Sequence, residues 1–211
     1  MDTNTLNDAQ TKWIKRGCDP HSQVPQMRIA HWDKGWLFCA DGIRLHAFKI
    51  DNPGDFEPLL KPDGTPVDWA LVRACLEDTL NTHVYRPGVK ALWKTIREQM
   101  DYVWLIQKDA TISLYDPQLK RLIRDAFVGS KEQRFCVKVV DSQRLVDAIL
   151  NRDRFRLLIE GDMIGVGSAS DKAPKWGAVV MAGKHTDPTR AKAFKSFVAS
   201  GGDFGLLEIE A

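Results

Sequence analysis

The residues best suited to chemistry are two cysteines and two histidines near the N-terminus. Cys18 and His21 are separated by two residues, as in many structural zinc sites, and His31 and Cys39 could complete a set of four ligands. The second pair matches no zinc spacing, and both of its members fall in predicted strands. No side chain sits in a nucleophile-elbow or comparable triad pattern. We therefore expect no metal, no cofactor and no enzymatic activity, with a site assembled from distant residues as the open alternative.

Two glycine-containing segments resemble nucleotide-binding loops only in part. The segment 182–185 follows a predicted strand, but it lacks the first glycine of a phosphate-binding loop and has His185 in place of the magnesium-binding hydroxyl. Gly161, Gly165 and Gly167 surround another predicted strand, and no helix begins after them. We interpret these three as glycines of a hairpin.

Length and composition are those of an ordinary globular protein. The 211 residues, 44% hydrophobic and 27% charged, suffice for one elaborated domain or two small ones. Four scattered cysteines are too few for a disulfide scaffold, which favours a reducing, cytoplasmic location. No signal-peptide core is present, and no apolar run approaches the roughly 20 residues of a membrane span, so we expect a soluble protein without a membrane partner.

Charge is distributed unevenly along the chain. Residues 51–81 hold two basic and seven acidic side chains, a local charge of −5, and residues 200–211 contribute −3. Because the whole chain carries +2, the remainder carries +10. This segregation permits an acidic face and a basic face, which weakly favours nucleic-acid binding.

The first elements that would position these residues are a short amphipathic helix ending at Gly17 and three strands. The strands are predicted at 27–32, 35–40 and 43–50. Asp41-Gly42 between the last two favours a type I′ turn, because both central residues of that turn need positive φ. Four prolines and two glycines in 51–66 predict a loop.

The rest of the chain alternates helices and strands. Helical patterns occupy 67–80, 89–100, 117–127, 142–150 and 189–200. Strand patterns occupy 102–107, 110–115, 134–140, 155–160, 163–168 and 177–182, with a last strand at 204–210.

An internal repeat becomes visible at an offset of 53 positions. Leu92 then aligns with Leu145, and Asp109 aligns with Asp162. Each copy contains a strand, a helix, a strand, a turn and a strand, so two copies would pack side by side and share a core. The alternative is that any two such units align this well by pattern alone.

Three segments resemble the bacterial DNA sliding clamp, the beta subunit of DNA polymerase III. The most specific is WLFCADGIRLHAF at 36–48, similar to a family strand and turn ending in T-D-G-x-R-L, with Ala40 where the family usually has threonine. FCVKVVDSQRLVDAIL at 135–150 with the hairpin at 155–168, and GAVVMA at 177–182, are the others. Together they cover about half of the chain.

The resemblance implies an α+β, DNA-clamp-like fold of antiparallel sheets backed by helices, here with a helical insertion. In the family the helices line a channel, and their basic side chains face duplex phosphates without reading bases. Double-stranded DNA is therefore an expected partner. The corresponding helix-borne candidates are Lys12, Lys15, Arg16, Lys90, Lys94, Arg97, Lys120, Arg121, Arg124 and Arg144. A solvated helix face would carry the same residues, and only clustering on one surface favours DNA.

The resemblance also implies an apolar pocket on the outer surface, which receives short extended peptides from polymerases and other clients. Transferred position by position, its walls are Gly42, Ile43, Arg44, Leu45, Met163, Val179 and Met181. Flexible methionines suit adaptable apolar contacts. The alternative is that the later strand residues belong to the ordinary core.

The chain is too short for the three domains of a bacterial clamp subunit. We divide it into a clamp-like first half at 1–51, an acidic loop and helical insertion at 52–82, two repeated units at 83–184, and a C-terminal helix and tail at 185–211. Several copies could close a ring through sheet edges. The main hypothesis is a non-catalytic clamp-like protein in replication or repair, acting as a homo-oligomer that supports processivity. The alternative is a monomeric or dimeric peptide-binding module or decoy.

Overall fold

The computed structural model describes most of the chain. It covers residues 6–51, 56, 58–61, 63–82, 84–85, 96–108, 111–117, 121–127, 135–151, 154–170 and 174–203, with only the backbone at 85 and 121–127. No helix within these ranges is long and apolar enough to cross a bilayer.

Four α-helices and eleven strands are described. The helices are α1 (Asp8–Ile14), α2 (Ala70–Thr79), α3 (Ser142–Ala148) and α4 (Pro188–Ala199), with 3-10 turns at Lys15–Gly17 and Pro25–Arg28. Residues 96–99 are also helical. The strands are β1 (His31–Asp33), β2 (Trp36–Ala40), β3 (Arg44–Lys49), β4 (Val84–Tyr85), β5 (Tyr102–Lys108), β6 (Thr111–Asp116), β7 (Arg121–Phe127), β8 (Cys136–Asp141), β9 (Phe155–Glu160), β10 (Met163–Ser168) and β11 (Lys175–Met181).

Side-chain caps fix where three of the helices begin. Asn7 and Gln10 form a reciprocal capping box at α1. Asp141 accepts a hydrogen bond from the amide of Arg144 at α3, and Asp187 accepts one from the amide of Arg190 at α4. Each cap satisfies a backbone donor that the first turn of a helix leaves unpaired.

The strands form two antiparallel sheets. A seven-stranded sheet has the order β1-β2-β3-β11-β10-β9-β4, and a four-stranded sheet has the order β7-β6-β5-β8. The N-terminal meander therefore joins the C-terminal half through the pairing of β3 with β11.

The two later units share one topology. Each has a first strand, a helical segment and three further strands, and β5 and β9 begin 53 residues apart at Tyr102 and Phe155. The first strand of each unit joins the sheet of the other, since β4 pairs with β9 and β8 pairs with β5. This exchange joins the units into one body with a shared core.

A central apolar layer lies between the two sheets and contains the helical segments. Side chains from both sheets, including Leu105 and Val166, pack there with Trp13 of α1, Ile96 of the helical segment 96–99 and Val146 of α3. We call this the helix layer, and we call the opposite faces of the sheets their outer faces.

The outer face of the seven-stranded sheet is covered by α2. Trp36, Phe38, Leu45 and Val179 of the sheet form one apolar cluster with Leu76 and other residues of the 59–80 segment. Leu76 is completely buried. The helical insertion is therefore part of the folded core.

Three glycines leave room for α2 on this outer face. A Cβ atom on Gly165 would collide with Oγ1 of Thr79, and one on Gly177 would lie 2.8 Å from Cδ2 of Leu76. A Cβ atom on Gly167 would lie 3.1 Å from Cγ2 of Thr79. All three predicted hairpin glycines belong to the β9–β10 hairpin: Gly161 lies in its turn, with φ of 56°, and Gly165 and Gly167 lie on β10, where they also form the surface on which α2 packs.

The four-stranded sheet also has a helix on its outer face. Phe197 of α4 is fully buried against Trp104, Tyr115 and Val139, and Phe194 packs at the margin of this cluster. Trp104 donates its indole hydrogen to His185 Nε2 over 2.6 Å, just before α4 begins. Both sheets thus have a helix against each face.

Two predicted elements are wrong. Residues 121–127 of the predicted helix 117–127 form β7, which pairs with β6, because Leu122, Ile123 and Phe127 belong to a β-rich run that completes the sheet. The predicted strand at 27–32 is divided into the 3-10 turn Pro25–Arg28 and the short strand β1. Proline lacks a backbone N–H, which favours such a turn.

The positive-φ turn lies in a different hairpin from the one predicted. Lys34 and Gly35, between β1 and β2, both have positive φ, at 50° and 84°. At the β2–β3 connection only Gly42 does, because the Asp41 carboxylate accepts hydrogen bonds from the amides of Ile43 and Arg44 and holds a different turn. Residues 89–95 of the predicted helix and the predicted strand 204–210 lie outside the described residues.

Candidate apolar site at the β3–β11 junction

The β3–β11 pairing places the two halves of the predicted pocket side by side. Leu45 is opposite Val179, and the amide of Met181 donates to the carbonyl of Ile43 over 2.8 Å. Met181 is in turn opposite Met163 on β10. Residues from distant parts of the sequence therefore form one continuous surface at the end of three strands.

Only part of this surface is open to solvent. Ile43 and Met181 are 40% and 36% exposed, whereas Leu45 and Val179 are 7% and 2% exposed beneath the cluster that holds α2. Gly42 is exposed and Met163 is half-buried. We call Gly42, Ile43, Met163 and Met181 the junction surface.

Arg44 lies on the opposite face of the sheet from the junction surface. Its guanidinium Nε donates to Asp41 over 2.9 Å, and its Nη1 lies 3.7 Å from Asp147 of α3, in the helix layer. Because side chains alternate along a strand, Arg44 and Leu45 cannot face the same side of β3. Arg44 fastens the β2–β3 hairpin to α3.

Sequence reasoning missed Met27 as a neighbour of this surface. A Cβ atom on Gly42 would lie 3.5 Å from Cε of Met27, so the methionine lies beside the β2–β3 turn. The segment 27–32 was predicted as an ordinary strand, which gave no reason to place Met27 there.

The alternation of Gly165, Gly167 and Gly177 on one face was the available signal for the covering helix.

Five of the candidate DNA-contacting cations lie on the helical segments. Lys12, Lys15, Arg16 and Arg97 are exposed and Arg144 is half-buried. Nη1 of Arg16 lies 3.5 Å from Asp147 on α3, and Nε of Arg97 donates to Gln143 of the same helix over 3.1 Å. These contacts join three helical segments into one surface.

The other five candidates are not on that surface in the described structure. Lys90, Lys94 and Lys120 lie outside the described residues. Arg121 and Arg124 belong to β7, an end strand of the four-stranded sheet, rather than to a helix.

His46 is a buried titratable group in the helix layer. Its Nδ1 lies 2.9 Å from the carbonyl oxygen of Trp13, so Nδ1 carries the hydrogen, and the two rings are stacked 4.5 Å apart. Burial lowers the pKa of His46 to about 4, because the charged form loses its hydration. The imidazole is therefore neutral at physiological pH.

The four residues considered for zinc do not assemble. Cys18 and Cys39 meet in the helix layer, whereas His31 contacts Phe38 and Gln26 and His21 is exposed. No group of three or more metal-ligating side chains occurs within the described part of the chain.

No protein-family model matches the chain, and no curated protein matches it. The DNA polymerase III subunit beta of Pseudomonas aeruginosa superposes with a TM-score of 0.55 over 88% of this chain and 68% of that chain, at 13% identity. The chain has a sliding-clamp fold.

Two further clamps support this assignment. The beta subunit from Thermotoga maritima gives a TM-score of 0.54 at 12% identity, over 84% of this chain and 63% of that chain. The P. aeruginosa DnaN sliding clamp bound to griselimycin gives 0.52 at 12% identity, over 84% and 64%. The chain spans about two thirds of the length of these clamps.

Proposed function

We propose that this clamp-fold chain is a non-catalytic protein that binds a short apolar peptide at the junction surface. The observation that carries the proposal is the pairing of β3 with β11, which joins Ile43 to Met181 and leaves both exposed. Two flexible methionines and an isoleucine offer an adaptable apolar contact. A P. aeruginosa clamp of the same fold is bound to griselimycin, which supports ligand binding by a protein of this fold.

The cover provided by α2 restricts what this surface can accept. Leu45 and Val179 already pack against the chain's own residues, so a peptide would contact the exposed margin formed by Ile43, Met163 and Met181. Such a peptide would be anchored by one or two apolar side chains. Retention of a partner near DNA through this contact would raise its effective concentration there.

A charge placed in the junction surface will weaken ligand binding. We expect griselimycin to bind the wild-type chain with a dissociation constant on the order of micromolar, and Met181→Asp to weaken binding at least about tenfold, because an unpaired carboxylate would be desolvated. Ile43→Asp should do the same. Isothermal titration calorimetry measures both.

Leu71→Asp is the matched control for these two variants. Leu71 is 78% exposed on α2, so the same chemical change there should leave the affinity within about twofold. Undetectable binding to the wild-type chain, or equal binding to all four proteins, would refute the junction surface as a peptide site.

A second candidate function is sequence-independent contact with duplex DNA through cations on the exposed side of the helix layer. Its specific support is that Lys12, Lys15, Arg16, Arg97 and Arg144 occupy helical segments joined through α3. Backbone contacts of this kind release counterions, so the affinity should fall steeply with salt.

Retention on circular and on linear DNA distinguishes a ring from a binding module. If the chain closes a ring as a homo-oligomer, it should remain on a nicked circular plasmid and be lost when the plasmid is linearised. If it is a module or decoy, sedimentation should give a monomer or dimer, and retention should be equal for both plasmids.

Replacing Lys12, Lys15 and Arg16 by glutamine should lower DNA affinity at about 50 mM salt by roughly tenfold or more in either case. Unchanged affinity would exclude the helix layer as the contact.

A further inference from the structure

The Cys18 and Cys39 thiols are the one cysteine pair in contact among the described residues. Cys18 follows the 3-10 turn after α1, and Cys39 lies on β2; both are buried, at 8% and 0% exposure. The two side chains are hydrogen-bonded to each other, and Sγ of Cys18 also lies 3.5 Å from the carbonyl oxygen of Ile29. Cys75 belongs to α2 on the outer face of the seven-stranded sheet, and Cys136 lies on β8 in the other sheet.

The backbone around the pair is close enough for a covalent link. A Cβ atom on Gly17 would lie 2.5 Å from the carbonyl oxygen of Cys39 and 3.0 Å from the amide nitrogen of His46. The chain next to Cys18 therefore runs directly against β2. A disulfide needs Cα atoms about 4.4–6.8 Å apart, and the contact of the backbone beside Cys18 with that of Cys39 favours such a separation.

We propose that Cys18 and Cys39 are a modification site: a dithiol that a low-molecular-weight disulfide, such as oxidised glutathione, converts to an intramolecular disulfide. The Cys18 thiolate attacks one sulfur of the oxidant, giving a mixed disulfide and one reduced glutathione. Cys39 then loses its proton to solvent and attacks Sγ of Cys18, which releases the second glutathione. The two protein thiols are oxidised and the oxidant is reduced to two thiols.

The local electrostatics assign the order of these two steps. The hydrogen bond with Cys39, helped by the charges of Lys15 and Arg44, lowers the pKa of Cys18 against the opposing effects of burial and of Asp41. The same hydrogen bond and burial raise the pKa of Cys39. Cys18 is therefore the nucleophile that meets the oxidant, and Cys39 is the resolving cysteine.

The link would close the loop between the two cysteines onto the sheet. That loop carries Met27, which lies beside Gly42, and Cys18 itself follows the helix that bears Lys12. Oxidation would thus fasten α1 to β2 and restrict the segment flanking the junction surface. Closing a loop of this length constrains the unfolded chain.

Intact-mass spectrometry of the folded full-length chain tests the proposal. After incubation with oxidised glutathione under native conditions, we expect a loss of about 2 Da and alkylation of two thiols instead of four. Non-reducing peptide mapping should join the peptides that contain Cys18 and Cys39. The thermal midpoint should rise by about 5–10 °C and return on reduction.

Single serine variants make the test specific. Cys39→Ser and Cys18→Ser should each eliminate the mass loss, whereas Cys75→Ser should leave it unchanged; circular dichroism checks that each variant is folded. Persistence of four alkylated thiols in the wild type, or a link that includes Cys75 or Cys136, would overturn the proposal. A stable glutathione adduct on Cys18 without closure would overturn it too, because Cys39 would then be out of reach.

Discussion

Acidification from about pH 7.5 to about pH 5 will lower the free energy of unfolding by about 2 kcal/mol through His46 alone. Burial lowers the pKa of His46 to about 4 in the folded chain, against an ordinary value of 6.5. Between these two values the unfolded chain binds more protons than the folded one. Stability is therefore fully present above the unfolded pKa and is lost as the pH falls towards 4. Urea unfolding at a series of pH values measures the effect.

His46→Asn isolates this contribution. Asparagine keeps an N–H near the position of Nδ1, so it can donate to the Trp13 carbonyl without titrating. The variant will be less stable at neutral pH because the stacked ring is lost, but its pH dependence in this window should be smaller by most of the 2 kcal/mol expected for His46. His21→Asn, at an exposed histidine, is the control. Parallel pH profiles for His46→Asn and the wild type would contradict the buried neutral imidazole.

Gly165→Ala will destabilise the chain by about 1–3 kcal/mol, and Thr79→Ala will restore most of the loss. The added Cβ would collide with Oγ1 of Thr79 and lie 3.1 Å from Sγ of Cys75, so α2 must move away from the sheet. Removing the Thr79 hydroxyl and methyl opens space at that point. Urea unfolding of the wild type, both single variants and the double variant gives the coupling energy between the two positions.

Gly183→Ala controls for the general cost of replacing a glycine. A Cβ atom there meets only the carbonyl oxygen of Val139, at 3.9 Å, which is an ordinary contact. Its effect should stay below about 0.5 kcal/mol. Additive effects of Gly165→Ala and Thr79→Ala would mean that α2 does not pack on the glycines of β10.

In the second half of the chain, the sequence predicted the positions of most strands but did not predict β7. Apolar runs at 102–107, 155–160 and 163–168 coincide with β5, β9 and β10, because central strands of a two-faced sheet are nearly continuous in hydrophobicity. The segment 117–127 was misread because Arg121 and Arg124 are spaced like residues on one face of a helix. The internal repeat indicated a strand here, because an offset of 53 aligns this segment with the strand β11.

The contacts on the outer faces of the sheets could be predicted only in part from the sequence. Contact between the Gly42 turn and Met181 could be predicted only through the resemblance to clamps, since 138 positions separate these residues. That α2 buries Leu45 and Val179 depends on a tertiary contact for which periodicity gives no signal. The cover provided by α2 explains why Leu45 and Val179, which match pocket-wall positions of the family, belong to the core in this chain.

The proposed function requires that the β2–β3 turn and the end of β11 form a single peptide-binding surface. Amide hydrogen exchange with and without saturating griselimycin tests it most directly. We expect slower exchange in the segments around Gly42 and Ile43 and around Met163 and Met181 together, with α3 unchanged. Slower exchange in only one of these segments, or confined to the helix layer, would contradict the claim.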